Sequence, residues 1–237
     1  TGARNATTFT ETIVNLNSLG GSPSLGVYAL FQYGTVAGSL ANLIIPPGMA
    51  LTNDTVAKII GLVVTHVPAS LTWHGDIVLN VWDEGLTASW LQDGTNQWFF
   101  TGDAVTFDDT GSSVPAINLA GAMFPSAVNV NASQNYEFTG GGIGAGRLSK
   151  SGSGTLILGN NNSYSGPTLI NGGMLQIGNG GISGSLGTGP TTNNATLVFN
   201  RSDDLTYTNF IAGSGNLTNV GAAGSVILAG SVSGNTV

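Results

Sequence analysis

Residues 139–178 read TGGGIGAGRLSKSGSGTLILGNNNSYSGPTLINGGMLQIG, and glycine or asparagine cuts every apolar run before a helix can form. Apolar residues alternate with small polar ones in short bursts: Leu156 with Leu158, then Leu169, then Leu175 with Ile177. Period-two alternation with turn residues every eight to twelve positions predicts many short strands. Part of the stretch returns. GAGRLSKSGSGTLILG at 144–159 matches GSGNLTNVGAAGSVILA at 213–229 with one inserted residue, an offset near seventy residues that reads as about three coils. A self-similar β unit stacks like on like, so the fold class expected is all-β, a parallel β-helix or β-solenoid.

Composition supports a folded chain with little charge on it. Only 7% of residues are charged, against roughly 25% in an average soluble domain, while 41% are hydrophobic. Disordered chains show the reverse balance. The five basic residues, Arg4, Lys58, Arg147, Lys150 and Arg201, are scattered, and the net charge is −7. That leaves no positive stripe for phosphates and excludes nucleic acid as a partner. Cysteine is absent, which a solenoid tolerates because its coils close each other's hydrogen bonds. No run of eighteen apolar residues exists, so no membrane-spanning helix is expected. The opening Thr1-Gly2-Ala3-Arg4 reads as a processed or excised piece of something longer.

Three stretches follow in order. Residues 1–70 are expected to be β-helix coils, with strands at 8–16, 27–33 and 41–45, a turn at Pro46-Pro47-Gly48, and a fourth strand at 57–65. The last could pass for a short helix, but its β-branched residues favour a strand. Residues 71–138 hold all four tryptophans, Trp73, Trp82, Trp90 and Trp98, eight or nine residues apart, and most of the acids. That spacing is too long for one helix face and too short for a full coil, so an irregular insertion is expected here, a longer loop or hairpin projecting from the solenoid. Strands are predicted near 105–107, 117–119, 128–130 and 136–138, with a turn at 108–111. Residues 139–237 are the glycine-rich repeats, one complete and one stopping in mid-repeat, joined by a loop at 184–190 and strands at 195–199 and 203–211.

The run LSKSGSGTLIL from Leu148, then NSYSG from Asn162, then TLINGGMLQI from Thr168, resembles the autotransporter-associated β-strand repeat of bacterial passenger domains. The pattern of Trp73, Trp82-Asp83, Trp90 and GDAVTFDD from Gly102 is similar to the segment that commonly precedes that repeat, and Tyr28–Tyr33 through Pro46-Pro47-Gly48 resembles the close of a preceding block. The resemblance implies a right-handed parallel β-helix exported across the bacterial envelope. It implies no activity, because such repeats serve mainly as stalk.

Chemistry-bearing residues are sparse. There is no G-x-S-x-G elbow and no cysteine, and only His66 and His74 offer imidazole bases. His74 lies two residues before Asp76, so a local His–Asp pair is conceivable, but no serine partner presents itself. The pairs Asp83-Glu84, Asp108-Asp109 and Asp203-Asp204 are adjacent, and neighbours on a strand point to opposite faces, so each reads as turn chemistry. Calcium is the better functional alternative, yet the ligand spacing of known loops is missing. Residues 59–146 lack Lys and Arg, which argues against a lyase groove. No enzyme activity, catalytic residue, metal site or cofactor is therefore expected. The tryptophans either fill the core of an irregular coil or offer flat faces to sugars.

Neither end carries an amphipathic helix or charged block to cap the terminal coils, so these are expected to pair onward. The function expected is an extracellular or cell-surface structural module of about ten coils, roughly 50 Å long. It would form a stalk or fibre by end-to-end stacking, or part of a longer repetitive surface protein. The alternative is an adhesin or glycan-binding module using the Trp73–Trp98 region.

Overall fold

Parallel strands need a long return path, whereas antiparallel strands can be joined by a few residues. The chain uses both kinds of connection, in separate places. The computed structural model describes residues 24–34, 48–76, 78–222 and 224–236. The chain divides into two units, Thr1–Pro68 and Ala69–Val237.

In the first unit β1 (Gly26–Gln32), β2 (Met49–Asp54) and β3 (Ile59–Val64) form a sheet in the order β1-β3-β2, with both pairs antiparallel. The strands expected near 27–33 and 57–65 are present, the second as strand and not helix. Those at 8–16 and 41–45 lie outside the described residues. The expectation of parallel coils over 1–70 does not hold for these three strands. The cause is local: Asp54 accepts hydrogen bonds from the Val56 and Ala57 N–H groups, and the chain reverses within four residues. A link that short permits only an antiparallel pair. Ile60, Leu62 and Val64 are the buried hydrophobic side chains of the central strand.

The second unit is a β-solenoid of about six stacked turns, fewer than the ten expected, because the described strands of the first unit contribute none. It opens with β4 (Ser70–Trp73) and β5 (Val81–Trp82), then a hairpin of β6 (Trp90–Gln92) and β7 (Thr95–Gln97). Two strands per turn follow: β8 (Ala104–Phe107) and β9 (Ile117–Leu119), β10 (Ala127–Asn131) and β11 (Tyr136–Gly140), β12 (Leu148–Ser151) and β13 (Thr155–Leu158), β14 (Thr168–Ile170) and β15 (Met174–Ile177). A third face then appears with β18 (Leu205–Tyr207) and β21 (Val226–Leu228), while β16 (Thr191–Asn193), β19 (Ile211–Ala212) and β22 (Val232–Ser233) continue one of the earlier faces and β17 (Thr196–Phe199) and β20 (Asn216–Asn219) the other. A ten-stranded sheet runs β22-β19-β16-β14-β12-β10-β8-β4-β6-β7, a seven-stranded sheet runs β20-β17-β15-β13-β11-β9-β5, and β18 pairs β21. From β4 to β22 the first sheet is parallel throughout.

Alternation decides which side chains go inside. In β12, Leu148 and Lys150 are buried while Ser149 and Ser151 are partly exposed, and β13 to β15 repeat the pattern. The inward rows merge into one core from Leu71 to Leu217. The return of the 144–159 sequence at 213–229 is not a return to the same place. Leu148 opens a strand of the ten-stranded sheet, whereas Leu217 sits in β20 of the other. The structural successors of Leu148 in its own sheet are Thr168, Thr191 and Ile211. A strand, a glycine turn and a second strand can wrap any corner of the solenoid, so sequence similarity between copies does not fix their phase.

At the corners, each coil lies directly on the backbone of the one before. Gly146, Gly166 and Gly189 stack in this way: a Cβ at Gly166 would collide with the Gly146 carbonyl oxygen, and one at Gly189 with the Gly166 carbonyl oxygen. Neither neighbour can yield, because both are backbone held in ladders. Gly181, by contrast, has nothing within 4 Å of where its Cβ would stand. Gly166→Ala should therefore cost about 3 kcal/mol, lowering the melting temperature by about 10 °C, while Gly181→Ala leaves it within a degree or two. Thermal denaturation followed by circular dichroism checks the pair, and equal melting temperatures would contradict the stacked corner.

Candidate functional site

The tryptophan segment builds the first turn. Trp73 and Trp90 face each other across the antiparallel β4–β6 pair, and Trp82 enters from the opposite sheet. Trp73 and Trp90 meet edge to face with ring centroids 4.9 Å apart, Trp82 and Trp90 at 5.2 Å, and Trp82 and Phe99 at 5.3 Å. Phe107 of the next turn packs against the same group. These three tryptophans are wholly buried, so within the Trp73–Trp98 region expected as an alternative sugar surface their faces are not available. Trp98, 46% exposed, stands apart from them. The Trp73 indole N–H donates to the Ser112 carbonyl at 2.8 Å, while the indole N–H groups of Trp82 and Trp90 make no hydrogen bond with the described residues.

The same segment supplies a cap that the sequence reading did not foresee. The β6–β7 hairpin occupies the edge of β4 that faces away from β8. Its insertion stretches the register from Leu71 to Val105, a gap of 34 residues, whereas Leu148 is followed 20 residues later by Thr168. A hairpin was expected here, but it lies along the sheet and does not project from it. The signal that could have found it is Asp93-Gly94 between two short β-prone runs, a hairpin turn sequence.

The carboxylates of the acidic pairs are engaged by the protein itself, mostly by backbone N–H groups. Asp83 accepts from the Leu86 and Thr87 N–H groups and the Thr87 hydroxyl, and Glu84 from the Thr101 N–H. Asp108 closes its own turn through the Thr110 N–H and hydroxyl. Asp109 reaches into the next coil, accepting from the Ser133 and Gln134 N–H groups, which hold its carboxyl below the usual range. Arg201 grips Asp203 with two parallel bonds of 2.9 and 2.7 Å and keeps that carboxyl low, while donating to the Gly184 and Ile182 carbonyls of the long loop. Asp204 accepts from the Ser225 N–H. Asp103, fully buried, accepts from the Ala69 and Phe100 N–H groups.

The conceivable His74–Asp76 pair does not form. His74 is exposed, and Asp76 turns back on the chain to accept from the Val78, Leu79 and Asn80 N–H groups. Partial burial works against ionisation of Asp76, but those three donors overcome it and hold the carboxyl below its ordinary value. Among the described residues no three His, Asp or Glu side chains converge as metal ligands.

Two polar residues inside the repeat carry structure that sequence reading passed over. Lys150 is 1% exposed and has no carboxylate partner among the described residues: its ammonium donates to the carbonyls of Ser151, Gly152 and Gly172 at 2.7, 3.1 and 3.2 Å. It occupies the inward row between Val130 and Ile170, and burial pulls its pKa down. The signal was present in the parity of Leu148-Ser149-Lys150, which puts the lysine on the same side as the leucine. Asn162 ties three coils together, accepting from the Ile143 N–H at 2.8 Å and donating to the Ser185 carbonyl at 2.7 Å. Nearby, burial pushes the Tyr164 hydroxyl up to about 12, and it bonds the Thr168 hydroxyl inside the core.

Residues 148–177 match the model of the passenger-associated-transport-repeat, and they span β12 to β15 with Lys150, Asn162 and Tyr164 among them. Within those bounds the chain is similar to a passenger-associated transport repeat. The "Adhesin BmaC autotransporter" of Brucella suis biovar 1 (strain 1330) is 38% identical over 114 residues, which cover 47% of this chain and 3% of that protein. The chain thus matches a small fraction of the length of that relative. No solved structure matches the chain. The repeat match and the adhesin relative support an extracellular or cell-surface location.

Two measurements probe these interiors. Acrylamide should quench one tryptophan component strongly, and Trp98→Phe should remove that component. Trp82→Ala should cost about 3–5 kcal/mol in denaturant unfolding and not act as a silent surface change. Lys150→Met leaves three turn carbonyls without a donor and should cost about 2 kcal/mol at neutral pH. Because the folded-state pKa of Lys150 lies below its unfolded value, the unfolded chain binds more protons between the two, so its stabilising contribution rises with pH. The margin of wild type over Lys150→Met should therefore widen as pH climbs towards about 10.4. A margin that shrinks over that range would mean the ammonium is not buried.

Proposed function

We propose that the chain is a structural segment of a longer adhesin-type surface passenger, a solenoid spacer with no catalytic role of its own. The observation that carries this reading is the unbroken parallel register of the ten-stranded sheet from β4 to β22 over one continuous apolar core. Such stacking makes length the adjustable property, since each further turn repeats the same ladder and corner. The engagement of every acidic pair, by backbone N–H groups and at Asp203 by Arg201, fits the same role, because a hydrolytic or eliminating site needs carboxylates free to meet a substrate. The likeness to a small fraction of a much longer autotransporter adhesin also supports it.

Between the two ways of making a stalk, the β6–β7 hairpin favours a spacer within one chain over a fibre of separate subunits. It covers the β4 edge on which another solenoid would have to add a parallel strand. The test is sedimentation velocity combined with electron microscopy of the 237-residue chain over a concentration series. Particles of one size at every concentration are expected. Filaments with a regular axial repeat would overturn the single-chain spacer in favour of end-to-end stacking.

A further inference from the structure

The sequence Asn-Gly-Gly occurs at both ends of one strand: Asn171-Gly172-Gly173 precedes β15 and Asn179-Gly180-Gly181 follows it. No other asparagine in the sequence is followed by glycine. In this dipeptide the glycine nitrogen can attack the asparagine side chain, because glycine has no Cβ to block the approach. An unfolded chain offers the two copies nearly the same chemistry. The fold treats them differently.

At the second copy both reacting groups are taken. The Gly180 N–H donates to the Asn200 carbonyl at 2.9 Å, and the Asn179 side-chain amide donates to the Glu137 carboxylate at 2.9 Å. Conversion of that amide to an acid would also set two carboxylates against each other. At the first copy both groups are open. Asn171 is exposed, and neither its Nδ2 group nor the Gly172 N–H makes a hydrogen bond with any described residue. What surrounds them is held in place and helps the attack. The Asn171 N–H donates to the Lys150 carbonyl at 2.8 Å, which fixes the residue on the coil before it. Asn171 Oδ1 accepts from the Asn194 amide at 3.2 Å, so a donor from the coil after it polarises the carbonyl to be attacked. The Lys150 ammonium, bonded to the Gly172 carbonyl at 3.2 Å, puts positive charge close to the nitrogen that must give up its proton.

We propose that Asn171 is a site of spontaneous deamidation and that the fold protects Asn179 from the same reaction. The Gly172 nitrogen loses its proton to a solvent base and attacks Asn171 Cγ. The Cγ–Nδ2 bond breaks, and ammonia leaves with a proton taken from water. Water then opens the five-membered imide at either carbonyl. Opening at Cγ restores the main chain and gives aspartate, whereas opening at the main-chain carbonyl gives isoaspartate, with the chain running through the side-chain carbon. The net change converts an amide and water to an acid and ammonia, with nothing oxidised or reduced. Isoaspartate lengthens the corner between β14 and β15, where a Cβ on Gly172 would already stand 3.1 Å from the Gly152 carbonyl oxygen. The added carbon therefore drives the Gly172 carbonyl away from Lys150 and loosens the stacked corner. The reaction depends on this corner alone and not on the spacer role.

The test is incubation of the folded 237-residue chain in neutral and mildly alkaline buffer, followed by peptide mapping with mass spectrometry and labelling by isoaspartate methyltransferase. Conversion is expected at residue 171, faster at the higher pH because the attacking group is the deprotonated amide. The same incubation in urea supplies the reference rates of the unfolded chain. Because the bonds at Asn179 and Gly180 must break first, the ratio of conversion at 171 to that at 179 should be about tenfold or more higher in the folded chain than in urea. Asn171→Gln, which would need a larger ring, should remove the isoaspartate label from the folded protein. Aged wild type should melt below fresh protein, while Asn171→Asp, with the charge but no added carbon, should melt close to it. A ratio unchanged by folding would overturn the proposal, as would a folded chain that stays intact at 171 while the unfolded chain converts, or a label that survives Asn171→Gln. Isoaspartate-rich protein that melts as fresh protein does would overturn the loosened corner.

Discussion

The parallel backbone ladder is the constraint from which the second unit follows. Each coil gives its N–H and C=O groups to the coils on either side, so the backbone spacing is the same in the strands and at the corners between them. In the strands this spacing leaves room for side chains that alternate inward and outward. At the corners it leaves almost none on the inner line, and Gly146, Gly166 and Gly189 stand where a Cβ would strike the carbonyl of the preceding turn. The high glycine content is thus a packing requirement as much as a conformational one.

A ladder of this kind has ends and interior polar groups to satisfy, and the chain handles both with its unusual residues. Trp73, Trp82 and Trp90 do not advertise a ligand site. They fill the first turn, where two short strands and a hairpin must enclose a core that later turns fill with leucine and isoleucine. Lys150 serves the same economy of hydrogen bonds deeper in the stack. Its own turn and the next leave three carbonyls without backbone donors, and one ammonium reaches all of them. Asn162 does for N–H and C=O groups on three successive coils what Lys150 does for carbonyls on two.

The acids and the outward rows divide the remaining polarity. Carboxylates are drawn to turns because backbone N–H groups are unpaired there, and the structure places Asp76, Asp83, Asp108 and Asp109 in that role. What remains on the ten-stranded sheet is uncharged. The two sheets are alike in backbone, and the strands of the seven-stranded one carry one outward carboxylate, Glu137, held by the Asn179 amide.

The sequence by itself determined the local rules: short strands, inward parity, glycine corners, aspartate turns, and the passenger-type repeat from Leu148 to Ile177. These are written in neighbours a few residues apart, where alternation and turn chemistry act directly. The tertiary structure alone decided which coil follows which, that the copies at 144–159 and 213–229 wrap different corners, that the Trp segment folds down as a cap, and that the strands around Ile59–Val64 pair antiparallel. Each of those depends on partners tens of residues away or on the length of one connection. A strand that alternates correctly does not say which strand lies beside it; only the ladder settles that.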